Sequence, residues 1–149
     1  MPKCRPLVLS DIPWVVQELR ALPKQSEYFA DVPDDVDYVK EQLTNYMLSG
    51  VLIGVTDNYS PSFLLATVNR PWYANRVEVH EMMFWVPESI RGSSTGLRLI
   101  KEYVELAKTY APHSIHAGVS LDIVDADRVL ALYEAAGFKR DKHGVVMRP

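Results

Sequence analysis

The chain has 149 residues, 48% hydrophobic and 23% charged, enough apolar material for one domain with a substantial core. A formal net charge of −3 and a pI near 5.8 argue against a protein that holds DNA or RNA by bulk electrostatics, which needs a basic excess. A single cysteine, Cys4, excludes an internal disulfide framework and points to a reducing, cytoplasmic compartment.

No stretch reads as a secretory leader, and no run approaches the roughly 18 apolar residues of a membrane span. Neither a membrane nor a nucleic acid is therefore an expected partner. Repeats, low-complexity tracts and linkers are absent, so residues 1–149 are expected to form a single domain.

Cys4–Leu9 reads as a short strand. In SDIPWVVQELRAL, Ser10 or Asp11 can cap a helix whose first turn accommodates Pro13, and Ile12, Val15, Val16 and Leu19 recur at helical spacing. The polar loop LPKQSEYFADVP leads to a second helix from about Asp34 to Ser49. Its apolar stripe is Val36, Val39, Leu43, Tyr46 and Met47, and Gly50 stops it. The period then changes. Val51–Asp57, Ser62–Arg70 and Arg76–Val86 read as strands joined by the turns DNYSP and PWYAN, an antiparallel meander. A further helix runs from Thr95 to about Tyr110, burying Leu97, Leu99, Ile100, Tyr103, Val104 and Ala107. Ser114–Leu121 is a strand. Asp125–Gly137 is a helix capped by Asp125, and FKRDKHGVVMR closes as one strand or a short hairpin. A meander followed by a strand–helix–strand crossover defines an α/β chain with a mixed, α+β-like sheet and helices on its faces.

Between the third meander strand and the next helix lies IRGSSTG. Two readings of it stand together. A helix N-terminus offers unpaired N–H donors and partial positive charge, serine and glycine let an anion approach the backbone, and Arg91 adds a full charge. Such a loop can cradle a pyrophosphate. Equally, Ser94 can cap the helix and Gly92 can supply a positive φ. The Walker pattern is excluded because Leu97 and Arg98 follow Gly96, and the dinucleotide fingerprint is excluded because a meander precedes the loop.

The chain resembles the GNAT superfamily, the Gcn5-related N-acetyltransferases. The element order is the family's over nearly the whole length. FWVPESIRGSSTGLRLI is similar to the family's cofactor motif, an apolar strand followed by Arg/Gln-x-x-Gly-x-Gly/Ala and a helix, with Arg91 and Gly96 in register. ALYEAAGF (Ala131–Phe138) is similar to its late LYxxxGF segment. Ser94 stands where the family usually has its first motif glycine, and Ala126 where it often has asparagine.

The resemblance implies the acyl-CoA N-acyltransferase fold and acetyl-CoA as cosubstrate. The pantetheine arm would insert between two parting strands, here Phe84–Val86 and about Val119–Leu121, and bond the backbone of Phe84, Trp85 and Val86 as an added strand would. Ile90, Arg91, Gly92, Ser93, Ser94, Thr95, Gly96 and Leu97 would hold the pyrophosphate. An amine would attack the thioester directly, which needs a base to take its proton. On the long strand, Glu81 is the first candidate and His80 the second. They face opposite ways unless a bulge intervenes. Tyr133 would be the acid that protonates the leaving thiolate. Each also has an ordinary structural reading, Glu81 as a satisfied carboxylate and Tyr133 as a core aromatic. A GNAT-fold protein that binds CoA or a partner without turnover is the alternative function.

The acceptor, a small molecule or a protein bearing a primary amine, is unspecified. Acidic residues around the first two helices (Glu27, Asp31, Asp34, Asp35 and Asp37) would favour a cationic amine if they border the cleft. A homodimer is compatible with this reading. No metal is expected, because the four histidines show no zinc-type spacing.

Overall fold

A computed structural model describes residues 2–21, 31, 33–118, 126–141 and 144–149. The chain runs β1 (Cys4–Pro6), α1 (Ile12–Leu19), α2 (Val36–Leu48), β2 (Leu52–Asp57), β3 (Phe63–Asn69), β4 (Glu78–Trp85), α3 (Thr95–Lys108), β5 (Ser114–Ala117), α4 (Ala126–Ala135), β6 (Lys139–Asp141) and β7 (Gly144–Met147). The closing segment is the hairpin of the two expected alternatives. The expected strand end Val119–Leu121 and the cap Asp125 lie outside the described residues.

These strands make one seven-stranded sheet in the order β1-β2-β3-β4-β5-β7-β6. β1 to β4 form the expected antiparallel meander. β4 and β5 pair in parallel, because a crossover through α3 joins them. Alternation along the strands divides the core. Leu52, Phe63, Leu65 and Trp85 face α1 and α2, packing with Ile12, Val15, Val16 and Leu43. Ile53, Leu64, Ala66 and Val79 face α3 and α4, packing with Leu99, Ile100, Tyr103 and Tyr133. Each face thus buries a different helix pair.

Three local outcomes differ from the sequence reading. The first strand stops at Pro6, and Leu9–Asp11 forms a 3-10 turn instead of strand. Tyr46, expected in the apolar stripe of α2, is exposed. Asp11 does not cap α1 through its side chain. Its buried carboxylate is taken by stronger donors, both terminal nitrogens of Arg5 at 2.7 Å, the Val8 N–H at 2.9 Å and Trp14 Nε1 at 3.0 Å. A fork-to-carboxylate pair outcompetes a lone helix N–H.

The Arg5 bonds chiefly, with those from Trp14 and Val8, overcome burial and hold the Asp11 carboxyl at about 2, against 3.8 for a free aspartate. The folded pKa lies below the unfolded one, so this contribution is complete above about pH 4 and fades as pH falls toward 2. Asp11→Ala is expected to cost roughly 2–4 kcal/mol at pH 7, since Arg5 loses its partner and two donors lose their acceptor. Urea unfolding of the two proteins at pH 7 and pH 3 checks this, and the gap should narrow at the lower pH.

Candidate active site

The site is set by where β4 and β5 stop pairing. Among the described residues their register runs Glu78↔Ser114, Val79↔Ile115 and His80↔His116. β5 ends at Ala117, whereas β4 continues to Trp85. The β3–β4 ladder breaks step in the same region. Ala66 faces Glu81 and Leu65 faces Met83, so Met82 is the extra residue of a bulge. A bulge bends its strand and sharpens its twist, which suits β4 turning away from β5.

Because the bulge falls after Glu81, His80 and Glu81 keep opposite faces. Glu81 points with Val79 toward α3 and α4. Its Oε2 accepts the Gly118 N–H at 3.3 Å, across the mouth where the strands part. Desolvation raises its carboxyl to about 7, the Gly118 N–H opposing this only in part. Beside it, Tyr133 from α4 is fully buried, and its hydroxyl has no hydrogen-bond partner among the described residues. Burial, and next the Glu81 carboxylate, push the phenol well above its ordinary value. Burying a hydroxyl without a partner costs about 1–3 kcal/mol. This one lies within the electrostatic reach of the half-buried Glu81 carboxylate.

The Tyr133 ring meets Phe84 of β4 edge-on, with centroids 6.0 Å apart, and Phe138 at 5.4 Å. Phe84 in turn lies under the start of α3. A Cβ built on Gly96 would stand 3.3 Å from Phe84 Cζ and 3.3 Å from a Leu132 methyl. Gly96 therefore has a packing reason in addition to any backbone approach to an anion: it lets α3 close down on β4 and α4. A line of contacts runs from the α3 N-terminus through Phe84 to Tyr133, whose phenol feels the charge of the Glu81 carboxylate.

At the outer end of that line, Pro87 begins a turn over Glu88–Ile90, and Gly92 has φ +92° as the turn reading expected. Ser94 has φ −74°, an ordinary right-handed value, so its backbone N–H can sit in a cradle as a glycine's would. Its hydroxyl does not cap α3. It accepts instead from Arg98 Nη1 at 2.7 Å, and Arg98 also reaches Asp57 of β2 at 3.3 Å. The Thr95 N–H is met by Ser93 Oγ at 3.3 Å. No acceptor is present among the described residues for the N–H groups of Gly96 and Leu97. Arg91 is exposed, donates its Nε–H to the Val86 carbonyl at 2.9 Å, and lies over the Trp85 ring at 5.5 Å. It braces the strand end as well as carrying charge. The Trp85 indole is on the α1 side, donating to Glu18 at 2.9 Å.

A cation that sequence reasoning missed stands next to this loop. Arg128 of α4 places Nη2 2.8 Å from where a Cβ on Gly92 would be. It is exposed, and the crossover that brings α4 beside α3 is what puts it there. Nothing local in DADRVL marks it.

His80 lies on the other face. Its ring stacks on His116 with centroids 4.2 Å apart and planes 6° from parallel. Its Nε2 is 3.2 Å from Glu78 Oε2. Burial opposes ionisation of Glu78, but bonds with His80 and Arg76 hold its carboxyl below the usual range. Of the acidic residues expected to attract an amine, Asp34 pairs with Arg20 and Asp35 caps α2 through the Tyr38 N–H. Glu27 is outside the described residues. Cys4 is buried, and burial raises its thiol pKa, which makes it a poor nucleophile.

No protein-family model matches the sequence, nor does any curated protein. Solved structures do. A predicted acetyltransferase with acetyl-CoA from Clostridium acetobutylicum is 16% identical, with 93% of this chain and 90% of that one covered at a TM-score of 0.70. An aminoglycoside acetyltransferase from an uncultured soil metagenomic sample, in complex with sisomicin, is 14% identical over 95% of this chain and 90% of the other, TM-score 0.69. The ribosomal-protein-alanine N-acetyltransferase of Brucella melitensis biovar Abortus 2308 is 14% identical over 99% and 100%, TM-score 0.69. The chain has the GNAT fold, in the element order expected from its sequence.

Proposed function

We propose that this chain is an acetyl-CoA-dependent N-acetyltransferase that acetylates a primary amine. The observation that carries the reading is the pair at the parting of β4 and β5, a half-buried carboxyl raised to about 7 and a buried phenol with no hydrogen-bond partner among the described residues, the phenol joined by packing through Phe84 to the start of α3. The likeness in fold to solved acetyltransferases over more than nine-tenths of the chain supports it.

In this reading the pantetheine arm of acetyl-CoA lies along the backbone of Phe84, Trp85 and Val86, using the edge that β4 exposes once β5 has left it. Backbone N–H groups there polarise the thioester carbonyl and meet the developing oxyanion. The segment Ile90–Leu97 receives the pyrophosphate, with Arg91 and Arg128 adding charge. The amine nitrogen attacks the carbonyl carbon, a C–N bond forms, and the amine's proton passes to the Glu81 carboxylate. The C–S bond then breaks and the thiolate takes the Tyr133 proton. The dry setting that holds the phenol's proton also raises a departing thiolate's demand for one. His80, on the far face, is the weaker candidate for the base.

The test is thiol release from acetyl-CoA in the presence of an amine panel spanning an aminoglycoside, a polyamine, lysine and an N-terminal alanine peptide. The expected result is amine-dependent release with at least one member. Binding of acetyl-CoA with no release from any member would favour a holding role, the reading to which the Ala126 departure lends support. Arg128→Ala is expected to weaken acetyl-CoA about tenfold, the worth of one charge-assisted contact. Titration calorimetry checks this, and the loss should shrink as salt is raised.

A further inference from the structure

The polar group on the opposite face of β4 has a composition and geometry that the transferase reading uses only in keeping His80 as the weaker candidate for the base. Glu78 and His80 are two apart on one strand, so they share a face. His116 is the parallel partner of His80, in the last register pair before the strands separate. One ligand atom from each of the three lies within 4.8 Å of the others. We propose that Glu78, His80 and His116 form a binding site for a divalent transition-metal ion of the Zn2+ type, which ties β4 to β5 at the root of their separation.

Two imidazoles and one carboxylate are the donor set for zinc and its neighbours, not for magnesium or calcium, which prefer all-oxygen shells. A tetrahedral zinc with bonds of about 2.0–2.2 Å sets its ligand atoms roughly 3.4 Å apart. Glu78 Oε2 and His80 Nε2 already stand at 3.2 Å. Only a modest fanning of the stacked His116 ring is needed to complete the triangle, leaving a fourth position for water or another ligand. The groups behind the ligands are also in place. Arg76 occupies the other carboxylate oxygen, Oε1, at 2.8 Å and so orients Glu78. The Tyr103 hydroxyl donates to the His116 carbonyl at 3.0 Å, and Ser114 Oγ shares a 2.7 Å hydrogen bond with His116 Nε2, which supports ligation through Nδ1 and would be displaced by an ion bound at Nε2. Partners of this kind hold ligands in orientation and sharpen affinity. Glu78 and Ser114 are buried, while the His80 side chain is 41% exposed, which gives an ion a way in.

No spacing rule finds this site, because its histidines belong to different strands and meet only through the crossover. It stands apart from the Glu81 and Tyr133 chemistry, since its ligands lie on the other face of β4.

The experiment uses the full chain after chelator treatment, titrated with Zn2+ by calorimetry and with Co2+ by visible absorption. The expected result is about one Zn2+ per chain and the strong ligand-field bands of four-coordinate Co2+. Affinity should fall tenfold or more in His116→Ala and in His80→Ala, and stay unchanged in His113→Ala, a histidine outside the group. Circular dichroism identifies any variant that fails to fold, and the other variant then carries the comparison. If neither folds, Glu78→Gln takes their place. Failure of the unaltered chain to bind Zn2+, or binding that the folded ligand variants retain, would overturn the proposal and leave the three side chains as a hydrogen-bonded polar ladder.

Discussion

Tyr133→Phe is expected to lower turnover by about 10²–10⁴, the range over which a positioned acid contributes to a proton-transfer step. Acetyl-CoA affinity should move little. The phenol oxygen is a single buried atom with no partner among the described residues, so removing it breaks no hydrogen bond within the described structure. The ring keeps its contacts with Phe84 and Phe138, so the core is preserved. Deleting an unpaired buried hydroxyl should also raise stability, by roughly 1 kcal/mol or more. A variant that is more stable, binds normally and turns over slowly separates an acid from a core tyrosine. Undiminished turnover would remove Tyr133 from the chemistry. Thiol-release kinetics and thermal unfolding on the same preparation give both readings.

Glu81→Gln is the second large effect. A base must be ionised to accept a proton. With its carboxyl at about 7, the unaltered protein should show kcat/KM rising with pH and levelling above neutrality. The glutamine variant should lose about a hundredfold or more in kcat/KM and lose that limb of the profile. Stability should move the other way. The folded carboxyl binds its proton more tightly than an unfolded one near 4.5, so the fold loses stability as pH climbs from 4.5 to about 7. Glutamine removes that penalty, and the variant should be more stable above pH 7 by at most roughly 3 kcal/mol. Denaturant unfolding at pH 5 and pH 8 distinguishes this from an ordinary structural carboxylate, whose loss would destabilise at both.

Much of this architecture is legible in the chain, because the signals involved are local. Strand alternation and turn residues mark the meander, helical spacing marks α3, and the position of IRGSSTG between them marks the turn that leads into the helix start. Alternation also separates His80 from Glu81 correctly, since the bulge lies one residue beyond them at Met82. That bulge has no glycine or proline to announce it, because it arises from how β4 registers against β3. Arg128 and the pairing of His80 with His116 were hidden for the same reason: each depends on which elements the crossover sets side by side. The side-chain caps expected of Ser94 and Asp11 failed for a different cause. Ser94 and Asp11 are both at helix starts, but each had an arginine within reach, and the charged donor won.

Acetyl-CoA titrated into the purified chain tests the central claim most directly. Saturable binding of about one molecule per chain is expected, weakened by Arg128→Ala and left unchanged by Tyr133→Phe. No heat and no thermal shift at about 1 mM acetyl-CoA, the upper end of ordinary substrate affinities, would contradict the account.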